Sequence, residues 1–525
     1  MKKKANPSWR KRRAAGTLAA ALAVILVLAG CSSSSSSSTD SGASGPPKKG
    51  GSLSVGVVGG SAKDSLDAHK AVTHPDEARV IQLYDTLLFQ NADFKFDPGL
   101  ATSVTSDKTG KVWTIKLRDG IKFSDGRPIT VEDVIATFKR ISDPANPTNA
   151  TSGLAALERD GFVKVDDRTV EFHFSQPVIN LQEQLAAYST GVVPADYNPA
   201  KPIGAGPFML KSFTPGQQSV FVRNPNYWRD GQPYLDSVTI IDFPDDTARV
   251  NALLSGQVDA IDQLPLGQVQ VASSTPGIKI LESKTYGIIP FTMRVDQPPF
   301  NDVRVRQAFR LIVDRKQMVQ QVLAGHGEVG NDMYSRFDPC YPKDIPQRTQ
   351  DIAKAKQLLK DAGQSNLTVD LVTSPVAAGL VEAAQVFAQQ AKAAGVTVNV
   401  KKVDPGEFYG DQYLSWTFAQ DFFFTHSWLG QALAGSTKNA PYNETHWADA
   451  EWDSIVQTAL QTTDDSTRCG LIKQAAQIEY DRGGYIIWGF PNSLDAYKSK
   501  VVGFVPDKSG IPLTSYRFRT AWLNG

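Results

Sequence analysis

The sequence is poor in sulfur and in histidine, with three cysteines, five methionines and six histidines among 525 residues. None of these falls into the C-x2-C or H-x3-H spacing of a closed metal site, so no metal centre and no cofactor are expected. G-x-S-x-G, H-E-x-x-H and a convincing nucleophile–base pair are missing too, which argues against hydrolytic chemistry. No internal repeat stands out. The chain also lacks a hydrophobic run long enough for a permanent anchor. Its uncharged apolar stretch, residues 18–29, falls short of the about 20 residues that a membrane-spanning helix requires. Neither sign of charge dominates, with 55 basic against 54 acidic residues.

What is present begins at the N-terminus. Lys2, Lys3, Lys4, Arg10, Lys11, Arg12 and Arg13 precede the apolar stretch with no acid among them, the layout of a secretory signal. Arg12-Arg13 lacks the polar-aromatic continuation of a twin-arginine leader, so general secretion is expected. Leu28-Ala29-Gly30-Cys31 resembles the bacterial lipobox, which implies cleavage before Cys31 and lipidation of its sulfur. Several acyl chains hold a protein durably on a membrane. Residues 32–50, dominated by Ser, Gly, Pro, Thr and Lys, cannot bury enough surface to fold. As a coil they span roughly 25 Å, a tether. The expected layout is a signal over 1–30 and a lipidated tether over 31–50, with the protein on the extracytoplasmic face of the cell membrane.

Taking the seven basic residues of the first thirty from the 55 leaves 48 against 54 acidic, a net charge of −6. That balance argues against a nucleic-acid binder. About 475 residues follow the tether, too many for one core, so two or three are implied. Only Cys340 and Cys469 are left among them. In an oxidising compartment such a pair is a candidate disulfide, and two separate buried thiols are the alternative.

The folded part reads as mixed α/β. Residues 51–58 and 113–117 alternate as strands. Thr130 and Asp133 cap a helix whose apolar stripe is Val134, Ile135, Phe138 and Ile141. Residues 237–243 predict a strand, Asp246 a helix cap, Gly256 a stop, and 258–261 a second strand. From about 290, Val305 to Leu323 keep helical spacing behind Asn301-Asp302, with Gly325 as the stop. Further helices are predicted over 352–362 and 376–394, followed by a strand over 397–403.

The blocks LYDTLL (83–88), DPGLATSV (97–104), WTIKLRDGIKFSDGRPITVEDV (113–134), GAGPFML (204–210), RNPNYW (223–228), DDTARVNALLSGQVDAI (245–261) and PPFNDVRVRQAFRLIVDR (298–315) occur in this order. Together they resemble the family-5 extracellular solute-binding proteins of ABC importers, the peptide and nickel group. The resemblance implies an α/β, two-lobed periplasmic-binding-protein-like fold (type II, cluster C) with an extra subdomain inserted in lobe one. By analogy lobe one takes 51–85, 188–288 and 496–525, the insertion 86–187, and lobe two 289–495. It further implies a non-enzymatic monomer that closes on a small peptide or peptide-like solute and delivers it to a membrane permease. A nickel chelate, an oligosaccharide or an opine-like solute are alternative guests; a secreted hydrolase or an adhesin-like receptor are the readings from other classes.

The same resemblance places two stretches at the ligand. In peptide-binding relatives the segment after Leu66-Asp67 pairs its backbone with an extended guest, here Val72, Thr73 and His74. The stretch 418–435 resembles the segment in which a Trp precedes an Asp that captures a peptide's α-amino group. Trp428 matches the Trp, but Gln431 stands about where the acid belongs and Thr425 about where some oligopeptide binders carry Arg. Asp421, before the Trp on the strand, is not expected to substitute. Phe424, His426 and Trp447 are further candidate contacts, and Glu444 is the candidate for the missing charge.

Overall fold

The computed structural model describes residues 45–71 and 73–524. The signal, Cys31 and Val72 lie outside the described residues. Three larger sheets organise the chain. In the seven-stranded sheet the order is Ile278–Ser283, Ser493–Lys498, Ala260–Ile261, Ser52–Val58, Ser237–Phe243, Gln218–Arg223 and Phe208–Thr214. Ser52–Val58 lies centrally and runs parallel to both its neighbours. Leu53, Val55 and Val57 are fully buried against Val80 and Leu83 of the helix His74–Leu83 and against Tyr84, which follows it. The strand over 237–243 and the helix after it form as read, with one correction at the cap. Asp245, not Asp246, caps the helix Asp246–Ser255, accepting the Ala248 N–H at 2.7 Å. Gly256 ends that helix at φ 90°, a left-handed conformation that a side chain would strain.

The chain leaves this sheet after Ser283, enters a five-stranded sheet at Phe291, and rejoins the first sheet at Ser493. The second sheet runs Thr397–Lys402, Thr368–Thr373, Phe418–Gln420, Phe291–Met293, Tyr485–Ile486. Its core is aromatic, the Phe291 ring lying 4.7 Å from that of Phe387 and the Phe300 ring 5.0 Å from that of Phe309. Two sequence expectations shift here. The apolar spacing from Val305 to Leu323 is split into Val303–Ile312 and Arg315–Val322, because the Asp314 carboxylate accepts the Gln317 N–H at 3.0 Å and starts a new helix. The helix expected from 376 begins at Leu380, since Gly379 is left-handed at φ 87°.

An antiparallel sheet of Ala101–Ser106, Val112–Leu117, Thr169–Phe174 and Leu157–Lys164 is built from the segment before residue 187. The helix Val131–Ile141 closes it, with the Thr130–Asp133 capping box complete. Val134, Phe138 and Ile141 bury the expected stripe against Ile115 and Phe172.

Cys340 and Cys469 are bonded to each other, their Cα atoms 4.7 Å apart across a sequence separation of 129 residues. The bridge ties the loop before residue 345 to the helix Asp465–Arg482. Closing so long a loop removes much freedom from the unfolded chain. Replacing both cysteines by serine is expected to cost about 2–5 kcal/mol in denaturant unfolding; an unchanged midpoint would show that the bridge constrains nothing.

Candidate functional site

The carboxyl ends of strands from both sheets face one gap. Val58 ends the central strand of the first sheet and Gly59 follows it; Pro375 follows Thr368–Thr373, and Phe422 and Phe424 follow Phe418–Gln420. All of them line one cavity of about 1880 Å³. That exceeds the ~300–1,000 Å³ of an ordinary small-molecule pocket. Loops diverge beyond the carboxyl ends of parallel strands, and open α/β sheets hold their ligands there. Residues 176–180, on the segment joining the antiparallel sheet to the first, complete the wall.

Four of the sequence candidates, Thr73, His74, Phe424 and His426, line this cavity. Thr73 has extended backbone (φ −112°, ψ 154°), and its hydroxyl accepts the Asp76 N–H at 3.3 Å, capping the helix that His74 begins. The His74 ring is held by the Gln263 amide at 2.6 Å and the Tyr516 hydroxyl at 3.2 Å. It meets the Phe424 ring edge-on, with 6.3 Å between centroids. Side chains presented by the two sheets therefore meet across the gap.

The other candidates stand behind the wall. Trp428, 1% exposed, packs 5.5 Å from the Tyr334 ring and 6.2 Å from the Trp452 ring. Its amide donates to Asp338 at 2.8 Å, which turns the residue into the core. Trp447 is buried beside Trp452. Gln431 is buried on the short helix Trp428–Gln431, so the position where an acid would be sought faces inward. The Thr425 hydroxyl accepts the Tyr286 amide at 3.1 Å, a link within the wall's backing. Glu444 is buried too, with Tyr413 between it and the cavity.

Among the acidic groups that line the cavity, sequence reasoning set Asp421 aside and did not single out Glu183. Asp421 is the first residue past the strand Phe418–Gln420, and its carboxylate accepts the Tyr409 hydroxyl at 2.7 Å. The signal was its place just beyond a parallel strand's carboxyl end, visible only once the strand's limit is known. Glu183 lies on the helix Leu181–Ala186 and reaches the loop that follows the second sheet. It accepts the Ser427 hydroxyl at 2.7 Å and stands 3.8 Å from the His426 ring. A Cβ on Gly430 would come within 3.1 Å of the same carboxylate, so glycine permits the approach. Burial opposes ionisation of Glu183, yet hydrogen bonding and charge from His426, helped by Ser427, hold its carboxyl below the usual range. No glutamate can be assigned such a cross-contact from its sequence neighbours alone.

A gap lined by the strand ends of two separately packed sheets, bridged by a few polar contacts, defines a binding protein that encloses a solute. The chain matches the family described as bacterial extracellular solute-binding proteins, family 5, over residues 95–445, and it belongs to that family. It is 26% identical over 471 residues to the periplasmic oligopeptide-binding protein OppA of Salmonella typhimurium, covering 82% of this chain and 85% of that one. The fold is also that of the ABC transporter-associated periplasmic binding protein DppA from Helicobacter pylori in complex with the peptide STSA, with TM-score 0.79 and 21% identity over 91% of this chain and 99% of that one. Similar again is AgaA from A. tumefacien R10 in complex with agropinic acid, with TM-score 0.78 and 23% identity over 90% and 99% of the two chains.

A hydrogen bond to a charged group contributes about 1.5–3 kcal/mol, enough to shift an opening equilibrium roughly tenfold or more. Glu183→Gln is therefore expected to enlarge the radius of gyration in solution scattering. A profile identical to the parent's would show that the Glu183 contact does not hold the gap shut.

Proposed function

We propose that this chain is the lipid-anchored solute receptor of an ABC importer and that it captures a peptide or peptide-like solute. Lobe one (51–85, 188–288 and 496–525) and lobe two (289–495) rotate about the crossings near 288 and 495, with 86–187 inserted in lobe one. The observation that carries the reading is the cavity lined from both sheets, with His74 and Phe424 facing each other across it. A solute that touches both walls makes contacts in the closed form that it lacks in the open one, and only that difference drives closure. Work of this kind is binding and release, with no bond made or broken.

The peptide class is supported by the relatives named for oligopeptides and dipeptides, which match over more than four-fifths of the chain. The cavity volume suits an extended guest of several residues. Thr73, extended at the cavity edge, supports main-chain pairing with such a guest, and Phe424 offers a flat apolar face. Lipidation of Cys31 would keep the receptor beside its permease.

Thermal unfolding of protein stripped of bound solute, against panels of peptides, oligosaccharides and nickel chelates, tests the reading. A ligand at 100 times its Kd adds about 2.7 kcal/mol to the folded state, so a true guest raises Tm visibly. Peptide pools are expected to raise it. A rise with oligosaccharides or chelates alone would overturn the peptide assignment and leave the importer reading standing.

A further inference from the structure

We propose that Gly287 and Asp338 are positioning residues that lock the solute-facing turn 423–428 to the first passage between the bodies, so that turn and hinge move as one. The inference rests on reading the gap as a solute site that closes about its two passages, and it names the linkage between guest and closure. The first passage, residues 284–290, joins Ser283 of the first sheet to Phe291 of the second. Within it the Ile288 amide donates to the Phe423 carbonyl at 2.9 Å, and the Phe423 amide donates back to the Ile288 carbonyl at 2.9 Å. Two residues that exchange both bonds fix each other's direction as well as their distance. The Tyr286 amide adds a third bond, to the Thr425 hydroxyl at 3.1 Å. Between these two anchors stands Phe424, which lines the cavity and meets His74 across it.

Gly287 sits where the passage lies closest to the turn. A Cβ there would come within 2.9 Å of the Phe423 carbonyl oxygen and 3.7 Å of the Phe424 backbone, so glycine is what lets the two backbones meet. Asp338 holds the other end of the turn. It is buried, and its two carboxylate oxygens accept one amide each, Trp428 at 2.8 Å and Cys340 at 2.8 Å. Cys340 is bridged to Cys469 on the helix Asp465–Arg482, which fixes the anchor in place. The neighbouring Phe337 ring stacks on Tyr286 of the passage, with 5.8 Å between centroids. One loop therefore grips the passage through Phe337 and the turn through Asp338. The Phe337 ring also meets Phe94 edge-on at 4.3 Å. Phe94, at φ 64° on the loop before Phe96–Pro98, belongs to the insertion of lobe one.

The consequence is mechanical. A guest seated against Phe424 presses on a turn that has no freedom separate from the passage. Phe424–His74 and Phe337–Phe94 are both contacts between the bodies, one at the cavity and one beside the passage, so rotation alters them together. Coupling between two places requires an element that both of them bias, and the laced turn is such an element. The extra contact that a guest makes in the closed form thereby reaches the hinge without either core being rebuilt.

Residue-resolved hydrogen exchange on the full chain, first without a guest, tests this. In the parent protein the amides of Tyr286, Ile288, Phe423 and Trp428 are expected to open as one unit, with equal protection and equal dependence on added urea. Gly287→Ala is expected to speed exchange of the Trp428 amide roughly tenfold, the scale of one buried hydrogen bond lost. Asp338→Ala should do the same at Tyr286 and Ile288, while Asp338→Asn, which keeps one acceptor oxygen, gives a smaller change. The amides of Leu53 to Val57 should keep their parent rates, which separates lost positioning from lost folding. Effects confined to the substituted end of the linkage overturn the proposal. Unequal protection of the four amides in the parent also overturns it, and that measurement decides the matter even where a variant does not fold. A pool of short peptides of mixed sequence is then added. Slower exchange at 423–428 with no change at 286–288 overturns the linkage. Slower exchange at neither, with the four guest-free rates equal, upholds the linkage and overturns the peptide reading.

Discussion

Each sheet buries its apolar side chains in a core of its own, and that separation keeps a gap between them. Leu53, Val55 and Ile240 pack with Tyr84 and Phe518 on one side, while Phe291, Phe309, Phe387 and Phe418 pack together on the other. Interiors at crystal-like density do not deform gradually. Two such bodies joined by two chain passages can change their relation without either being rebuilt. What crosses the gap is therefore polar or edge-on, as in the contacts of Glu183 and His74.

Internal charges sort by the same logic. Arg79 is fully buried and donates to Asp64 at 2.9 Å, Asp76 at 3.1 Å and Asp242 at 2.6 Å, fastening the helix His74–Leu83 to the first sheet. Arg315 and Arg348 converge on Asp332 in the other body. Such networks set each buried carboxylate against a guanidinium, and breaking one by removing a member costs about 3–5 kcal/mol. At the cavity wall the pattern changes: the Asp421 carboxylate is held by phenols, accepting the Tyr409 hydroxyl at 2.7 Å and the Tyr413 hydroxyl at 3.3 Å.

Local signals in the sequence carried much of the architecture. The Thr130–Asp133 pair, the β-branched run over 237–243 and the alternation over 113–117 each act through neighbours a few residues away, and each produced its element. Boundaries were harder wherever one side chain or one backbone angle decides, as at Asp314 and Gly379. The family resemblance, spread over many blocks, gave the fold class. Site residues were the least legible. Trp428 and Trp447 look like ligand platforms in a linear reading, yet a tryptophan beside a cavity and a tryptophan beneath it share the same local pattern. Only tertiary packing against Tyr334 and Trp452 distinguishes them. Glu183 and Ser427 are far apart in sequence, so nothing short-ranged announces their contact.

The central claim is that one guest engages both bodies at once. Hydrogen–deuterium exchange on the stripped protein, with and without a saturating mixture of short peptides, measures this directly. The account predicts slowed exchange together in three places: residues 73–77 at the first sheet, 176–184 on the connecting segment, and 421–430 beyond the second sheet. Protection confined to one of these, or appearing only on surfaces remote from the cavity, would contradict it.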